Sequence, residues 1–257
     1  MPDLETDCDR RVASDSVTKR NRSPRPFPFA GLYAPPVGVR LARFAPTPVS
    51  VASAKSSRAK DELTQRTGRF TVAVLVGSLR TGSYTRKIAR ALIGLAPVNL
   101  NCNIVEFADL PLYTEDSDGF PPEAWTRFRS EIRDADAVLI VTPEYNRSVP
   151  GGLKNAIDVG SRPPFESVWN GLPAAVVSAS PSKVGGFGAN HHIRQSLVFL
   201  NMPVMQQPEA YLPEVAAMFD DQDRLKSPEA RDFLAKVMSS FTDWVMLVHG
   251  ARSRAGA

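Results

Sequence analysis

The chain has 257 residues, with 31 Lys and Arg, 27 Asp and Glu and two cysteines. That length suits one large domain or two small ones, and Cys8 and Cys102 are too few and too far apart for a disulfide framework or a zinc site. The net charge of +4 is uneven: residues 1–68 hold 12 basic and 7 acidic side chains and residues 69–257 hold 19 and 20, so the high charge belongs to the N-terminal arm and gives no support for a nucleic-acid face on the folded part.

No apolar run approaches the roughly 18–20 residues that a spanning helix needs, so no membrane span is expected. Residues 1–68 are rich in Pro, Arg and Ser and lack period-2 or period-3.6 patterning. Such a composition buries too little apolar surface to offset chain entropy, and disorder is expected there. Three origins fit this arm. Positions 16–60 lack Asp and Glu, as in organelle transit peptides, although Asp3, Glu5, Asp7 and Asp9 are atypical of them. It also fits a stretch translated upstream of a true start near Arg69, or a natural tail.

From Phe70 onward, strand and helix patterns alternate. The apolar run 70–76 reads as a buried strand. A helix follows over about 84–95, with Ile88, Leu92 and Leu95 inward and Arg86, Lys87 and Arg90 outward. A second strand is expected at 102–107, with Cys102 as a small packed side chain. A loop from Asp109 to Pro122 leads to a helix marked by Trp125, Phe128 and Ile132. A third strand spans 137–142 and a third helix about 150–160. A fourth strand covers 173–178, a fourth helix about 187–200, and a fifth strand about 203–206. The last helix starts at Ser227-Pro228-Glu229, an N-cap followed by proline in the first turn. Its stripe is Phe233, Val237, Phe241, Trp244 and Val248. Alternation of this kind predicts an α/β fold, a parallel sheet covered on both faces. The folded domain is expected over residues 69–250, with 251–257 as a tail.

Two loops carry the chemistry. The first strand feeds Gly77-Ser78-Leu79-Arg80-Thr81-Gly82-Ser83, and a helix begins at once. A helix N-terminus offers unpaired N–H groups and partial positive charge. Ser78, Ser83 and Thr85 add hydroxyls, and Arg80 adds a fork suited to phosphate oxygens. This segment reads as a phosphate cradle. It is neither G-x-G-x-x-G nor a P-loop. The second loop follows the third strand: Pro143-Glu144-Tyr145-Asn146-Arg147-Ser148-Val149-Pro150-Gly151-Gly152. Ligands in open α/β sheets sit beyond strand C-termini, so the two loops are positioned to share a crevice.

Together, G-S-L-R-x-G-S-x-x-R and T-P-E-Y-N-R-S-x-P-G-x-L-K-N-A-I-D resemble the NADPH-dependent FMN reductases, and within them the soluble quinone and chromate reductase branch. The resemblance runs from about Arg69 to Trp244. Ser178-Ala179-Ser180-Pro181, Ile193–Leu200 and Gln207-Pro208-Glu209 support it. It implies a flavodoxin-like doubly wound five-stranded sheet in the order 2-1-3-4-5 with helices on both faces. It places the FMN phosphate on Ser78, Arg80, Ser83, Tyr84 and Thr85. It sets the isoalloxazine ring against Pro143, Glu144, Tyr145 and Asn146, with Ser148 nearby and Ser180 and Pro181 flanking. Thr85 stands where Asn is frequent, and His191 where relatives often show Tyr in a subunit contact.

The resemblance further implies NADPH or NADH as donor and hydride transfer to flavin N5. A quinone, chromate, azo compound or free flavin is then the acceptor. No catalytic side chain or metal is required, since the cofactor carries the chemistry. Backbone amides of the 143–148 loop are expected to steady charge on the reduced ring. A homodimer or homotetramer is implied, through the third and fourth helices and the segment around Glu209 and Tyr211, in a cytoplasmic protein. Organelle targeting by residues 1–68 stays open. Glu144 is expected to cap the following helix or hold its loop, and Asn155 and Asp158 to anchor or face solvent. Lys154 is expected to be solvated, and His191 and His192, ahead of the body of the fourth helix, to cap or pack. Two rivals stand beside this reading. Arsenical-resistance flavoproteins share the first loop, but their second motif usually reads P-E-R-H-G. A non-catalytic FMN-binding electron carrier is the other; such carriers tend to be strongly acidic, and this domain is near neutral.

Overall fold

The structure, a computed structural model, describes residues 68–255. The expected disordered arm, apart from Gly68, lies outside the described residues. Five strands, β1 (Phe70–Val76), β2 (Leu100–Ile104), β3 (Ala137–Thr142), β4 (Ala174–Ala179) and β5 (Ala210–Leu212), form one sheet in the order β2-β1-β3-β4-β5. Every pairing is parallel. This is the expected flavodoxin-like order.

The central strands are apolar throughout because both faces are covered. Val72, Val74 and Val76 point into one core, while Ala73 and Leu75 point into the other. The first core lies beneath α1 (Tyr84–Gly94) and α5 (Pro228–Ala255), with Ile88, Leu92, Leu234 and Phe241 fully buried. The second lies beneath α2 (Glu123–Arg133), α3 (Gly151–Gly160) and α4 (Phe187–Phe199), around Trp125, Phe128, Trp169 and Ile193. Helices α1 and α2 carry their apolar residues at helical spacing, so each seals its face with one stripe. At the start of α5, Ser227 Oγ accepts the Ala230 amide at 3.0 Å, the expected cap. The helix continues through Ala255, into the stretch expected as a tail.

The edge strands depart from expectation. Pairing of β2 begins at Leu100 opposite Phe70 and ends at Ile104, earlier than 102–107. The fifth strand is not at 203–206. There the backbone makes a single bridge, Val204 with Ala174, through the Ala174 amide to Pro203 O at 3.0 Å and the Met205 amide to Ala174 O at 2.8 Å. Pro208 cannot donate to a ladder and restricts Gln207 before it, so the chain leaves the sheet and re-enters at Ala210. There it pairs with Val177–Ala179.

Trp169 ties α3 to β4. It is fully buried, and its indole N–H donates to Ile157 O at 2.9 Å. A Cβ on Gly160 would lie 2.5 to 2.6 Å from three indole atoms. Helix propensity alone would favour alanine at this position by about 1 kcal/mol. The steric conflict is larger, so Gly160→Ala should lower unfolding free energy by about 1–3 kcal/mol. Urea unfolding with an unchanged m-value checks it, and a more stable variant would show that helix propensity governs the site.

Candidate active site

The site begins where β1 and β3 end. The Gly77 amide donates to Val141 O at 2.8 Å, fastening the exit of β1 to β3. A Cβ at Gly77 would lie 2.8 Å from Thr142 Oγ1 and 3.1 Å from Leu153 and Pro143. Only glycine lets the two exits pack this closely. Gly82, at φ +70°, then turns the chain into α1. Ser83 is the N-cap, and its hydroxyl accepts the Arg86 amide at 3.3 Å. It also shares a 2.8 Å hydrogen bond with Thr85 Oγ1. Ser78, Ser83 and Thr85 are buried. Among the described residues, the amides of Ser83, Tyr84 and Thr85 have no acceptor. The corner thus presents free donors at a helix N-terminus. Arg80 donates to Gly82 O at 3.1 Å, and its guanidinium lies 5.6 Å from the Tyr84 ring centre.

The loop after β3 is a tight hairpin. Tyr145 and Ser148 exchange backbone hydrogen bonds of 2.9 and 3.0 Å. The two residues between them, Asn146 and Arg147, sit at φ 51° and 65°. Both are in the left-handed region, the geometry of a type I′ turn, in which Asn is favoured at the first position. The Tyr145 and Ser148 amides are therefore spent inside the hairpin. Those of Glu144, Asn146 and Arg147 have no acceptor among the described residues.

Helix α4 holds this hairpin from the side. Glu144 Oε2 accepts the Ala189 amide at 3.2 Å, and Oε1 accepts from Arg147 Nη1 at 3.0 Å. Glu144 thus caps α4, three elements on from its own loop, rather than the helix that follows it. Ser148 Oγ and His192 Nδ1 share a 2.6 Å hydrogen bond. His191 and His192 both lie in α4, as the expected span of about 187–200 has them. His191 Nε2 and the Tyr211 hydroxyl share a 2.9 Å hydrogen bond. Burial, followed by Glu209, pushes the Tyr211 phenol up to about 12.

A cavity of about 310 Å³ lies between these loops. It is lined by Ser78, Arg80, Ser83, Tyr84, Thr85, Pro143, Glu144, Tyr145, Ser180 and Pro181, all expected from the sequence. Asn146 and Ser148 are not on its wall. Asn146 occupies the exposed hairpin tip and Ser148 turns toward His192. Ala179 and Val215 line the cavity and were not expected. Ala179 ends β4 beside Ser180. Val215 follows β5, and its amide donates to Ser180 O at 3.1 Å. Placing the fifth strand at 203–206 hides this return, although Pro213-Glu214 after an apolar triplet is a turn signal.

Residues outside the cavity have structural partners. Lys154 pairs with Asp158 at 2.6 Å across one helical turn. Asn155 is buried, accepts the Tyr113 amide at 2.8 Å and donates to Pro111 O at 3.0 Å, anchoring the loop before α2. Burial raises the Cys102 thiol to about 11, which disfavours the thiolate at neutral pH. Among the described residues, no group of His, Cys, Asp and Glu is arranged to hold a metal.

Comparison with known proteins places this geometry in context. The family profile of the NADPH-dependent FMN reductases matches residues 70–217. A quinone reductase of Pseudomonas putida is 62% identical over 179 residues, covering 69% of this chain and 96% of the relative. A 2-hydroxy-1,4-benzoquinone reductase of a Burkholderia species is 41% identical over 174 residues, 68% of this chain and 95% of the relative. Among solved structures, the flavoenzyme NAD(P)H:(acceptor) oxidoreductase FerB of Paracoccus denitrificans aligns with a TM-score of 0.65 and 38% identity, over 68% of this chain and 97% of that one.

Glu144 is the tie between the hairpin and α4. Glu144→Ala removes both the cap and the contact with Arg147 and should cost about 1–2 kcal/mol. Glu144→Gln keeps an oxygen facing the Ala189 amide and should lose less. Thermal unfolding checks the order; wild-type midpoints for both variants would show that the carboxylate does not seat the loop.

Proposed function

The chain belongs to the NADPH-dependent FMN reductase family, and on that premise we propose that the 310 Å³ cavity holds FMN and that the acceptor is a quinone. The protein is an oxidoreductase that uses FMN and NAD(P)H. The observation that carries the site reading is the β1–α1 corner. It combines three amides without acceptors, three buried hydroxyls and the Arg80 fork. That donor set suits a doubly charged phosphate monoester. The other end of the cavity suits a flat ring, because Pro143, Tyr145, Ala179, Pro181 and Val215 present apolar or planar surface.

Ser78, Arg80, Ser83, Tyr84 and Thr85 hold the phosphate in this reading. Pro143, Glu144 and Tyr145 wall the ring, with Ser180 and Pro181 opposite. Asn146 and Ser148 act through the hairpin: Asn146 shapes its tip and Ser148 locks it to α4. When bound, FMN would supply the two-electron chemistry: a hydride accepted from NAD(P)H and, together with one proton from solvent, delivered to a quinone to give the hydroquinone. The free amides of Glu144, Asn146 and Arg147 are the loop donors able to face negative charge. Tyr145 is half exposed, which leaves the ring's neighbourhood open to flat acceptors. Chromate, azo compounds and free flavin fit the same open face. The quinone is favoured because the Pseudomonas relative that matches over nearly its full length is a quinone reductase. The second loop reads Pro143-Glu144-Tyr145-Asn146, against the arsenical-resistance motif. A cytoplasmic location completes the proposal; no helix among the described residues is long and apolar enough to cross a membrane.

A second copy of the chain is proposed to cover the groove between α3 and α4. This groove has a volume of about 980 Å³ and is lined by Ile157, Phe165, Phe199 and Leu200 among others. Phe165 is 105% exposed and Phe199 88%, an unusual pair of bare aromatics on one groove.

Full-length protein should purify yellow, with a band near about 450 nm, and should oxidise NADPH when a quinone is supplied. Yellow protein that consumes no NADPH would establish the electron-carrier reading. Arg80→Ala should weaken FMN retention by roughly 10–100-fold, the value of a charge-assisted hydrogen bond. Equilibrium dialysis measures it, and unchanged retention would remove Arg80 from the phosphate site. Phe199→Glu should reduce the particle mass in sedimentation; an unaltered mass would place the subunit contact elsewhere.

A further inference from the structure

Away from the cavity between the strand ends, a second concavity of about 790 Å³ opens between α1 and the segment that leads into α5. Lys87, Arg90, Arg224, Lys226 and Arg231 surround it, with Asp220 and Asp223 as the acidic residues. The formal balance over this one opening is +3, whereas residues 69–257 as a whole carry −1. Positive charge is therefore concentrated here against the trend of the domain.

Both carboxylates are already engaged. Asp220 Oδ1 accepts the Gln222 and Arg224 amides, each at 2.9 Å, and Oδ2 accepts from Arg224 Nε at 2.9 Å. Asp223 pairs with Lys87. The side-chain cations of Arg90, Lys226 and Arg231 have no carboxylate partner among the described residues. Arg231 also stands in the first turn of α5, where the helix macrodipole disfavours a cation and favours an anion.

The rim is built on fixed backbone. Phe219 and Leu225 form an antiparallel bridge. The Asp220 amide donates to Arg224 O and the Lys226 amide to Met218 O, each at 2.9 Å. Phe219 is buried at the base of this hairpin. Arg224 and Lys226 are thus presented by a closed turn packed on the core. Ala91, Gly94, Leu95 and Leu225 add uncharged surface to the same concavity.

We propose that this concavity binds a phosphorylated nucleoside, with Arg90, Lys226 and Arg231 on the phosphate and the α1 face against the nucleoside. Three cations without counter-charges suit an anion of at least two charges, and arginine forks match phosphate geometry. The volume and the uncharged strip suit more than inorganic phosphate. The site is separate from the flavin cavity but borders it. Lys87, paired to Asp223 on the rim, lies 5.5 Å from the Tyr84 ring centre, and Tyr84 lines the flavin cavity. The phosphate has two possible sources: a free nucleotide, or the 2′-phosphoadenosine end of NADPH.

The test is calorimetric titration of ADP and of 2′,5′-ADP into full-length protein saturated with FMN, so that the flavin cavity is filled. Wild type should bind at least one of them, and the double variant Lys226→Ala/Arg231→Ala should bind it at least roughly tenfold more weakly. These residues are chosen because neither side chain makes a bond that folds the turn. FMN content and unfolding midpoint should be unchanged. Should the chain retain no FMN, the same titration is read on the Arg80→Ala variant, whose ADP binding must persist. A rise in KM for NADPH but not NADH in the double variant identifies the 2′-phosphate as the source; equal KM values with weakened ADP binding identify a free nucleotide. Absence of ADP and 2′,5′-ADP binding to wild type, or equal binding by the double variant, overturns the proposal.

Discussion

The close packing of the β1 and β3 exits is the constraint on which the rest of the site depends. These strands are neighbours, but the chain visits β2 on the far side of β1 before it returns to form β3. Loops leaving β1 and β3 therefore diverge to opposite faces and leave a crevice between them. At its base, Gly77 meets Thr142, Pro143 and Leu153 with no room for a side chain. The 2.8 Å hydrogen bond from its amide to Val141 O fixes their relative height. Any displacement there would shift the donors of one loop against the walls of the other. A site that must hold a phosphate and a ring together tolerates little such movement.

The second support is α4. Its entry needs two consecutive left-handed glycines, Gly185 at φ 64° and Gly186 at φ 78°. At Gly185 a Cβ would lie 2.8 Å from the Tyr211 backbone, so the loop after β4 lies flat on β5. Ser178 Oγ donates to Gly185 O at 2.9 Å and holds it there. With its start fixed, α4 offers the Ala189 amide to Glu144 and the His192 ring to Ser148. The hairpin beyond β3 is thereby bound at both legs to an element from the next crossover. Glu144 serves the cavity through this tie, and its carboxylate is already satisfied by Arg147 and Ala189.

How far the sequence spoke depends on what each signal encodes. The runs 70–76 and 137–142 are apolar except for Thr71 and Thr142, the pattern of a strand covered on two faces. The corner at Gly77–Thr85 was legible because backbone donors and hydroxyls are local properties of a strand–turn–helix. The edge strand was not. Met202–Met205 is as apolar as Ala210–Leu212, and which of them pairs with β4 is decided by where the 177–179 edge lies open. Asn146 and Ser148 were placed by motif adjacency, which does not register that a tight turn reverses the chain between Tyr145 and Ser148, leaving Asn146 at an exposed tip and Ser148 hydrogen-bonded to His192 rather than on the cavity wall. Val215 was invisible for the complementary reason: it comes from a remote segment delivered by β5.

Folding also sorted the polar groups in a telling way. In the hairpin, two amides are consumed and three are left; in the β1–α1 corner, Arg86 is capped and the three amides before it are left. Unpaired backbone donors near a protein interior are costly, and most structures satisfy them with nearby side chains. Suitable acceptors stand close by. Ser83 Oγ is committed to Arg86 and shared with Thr85, and Glu144 is committed to α4. The acceptors that would quench the corner are thus held elsewhere by bonds that build the loops. Donors kept free by the same interactions that define the fold are preorganised for negative charge, so binding an anion there requires no internal bond to be broken.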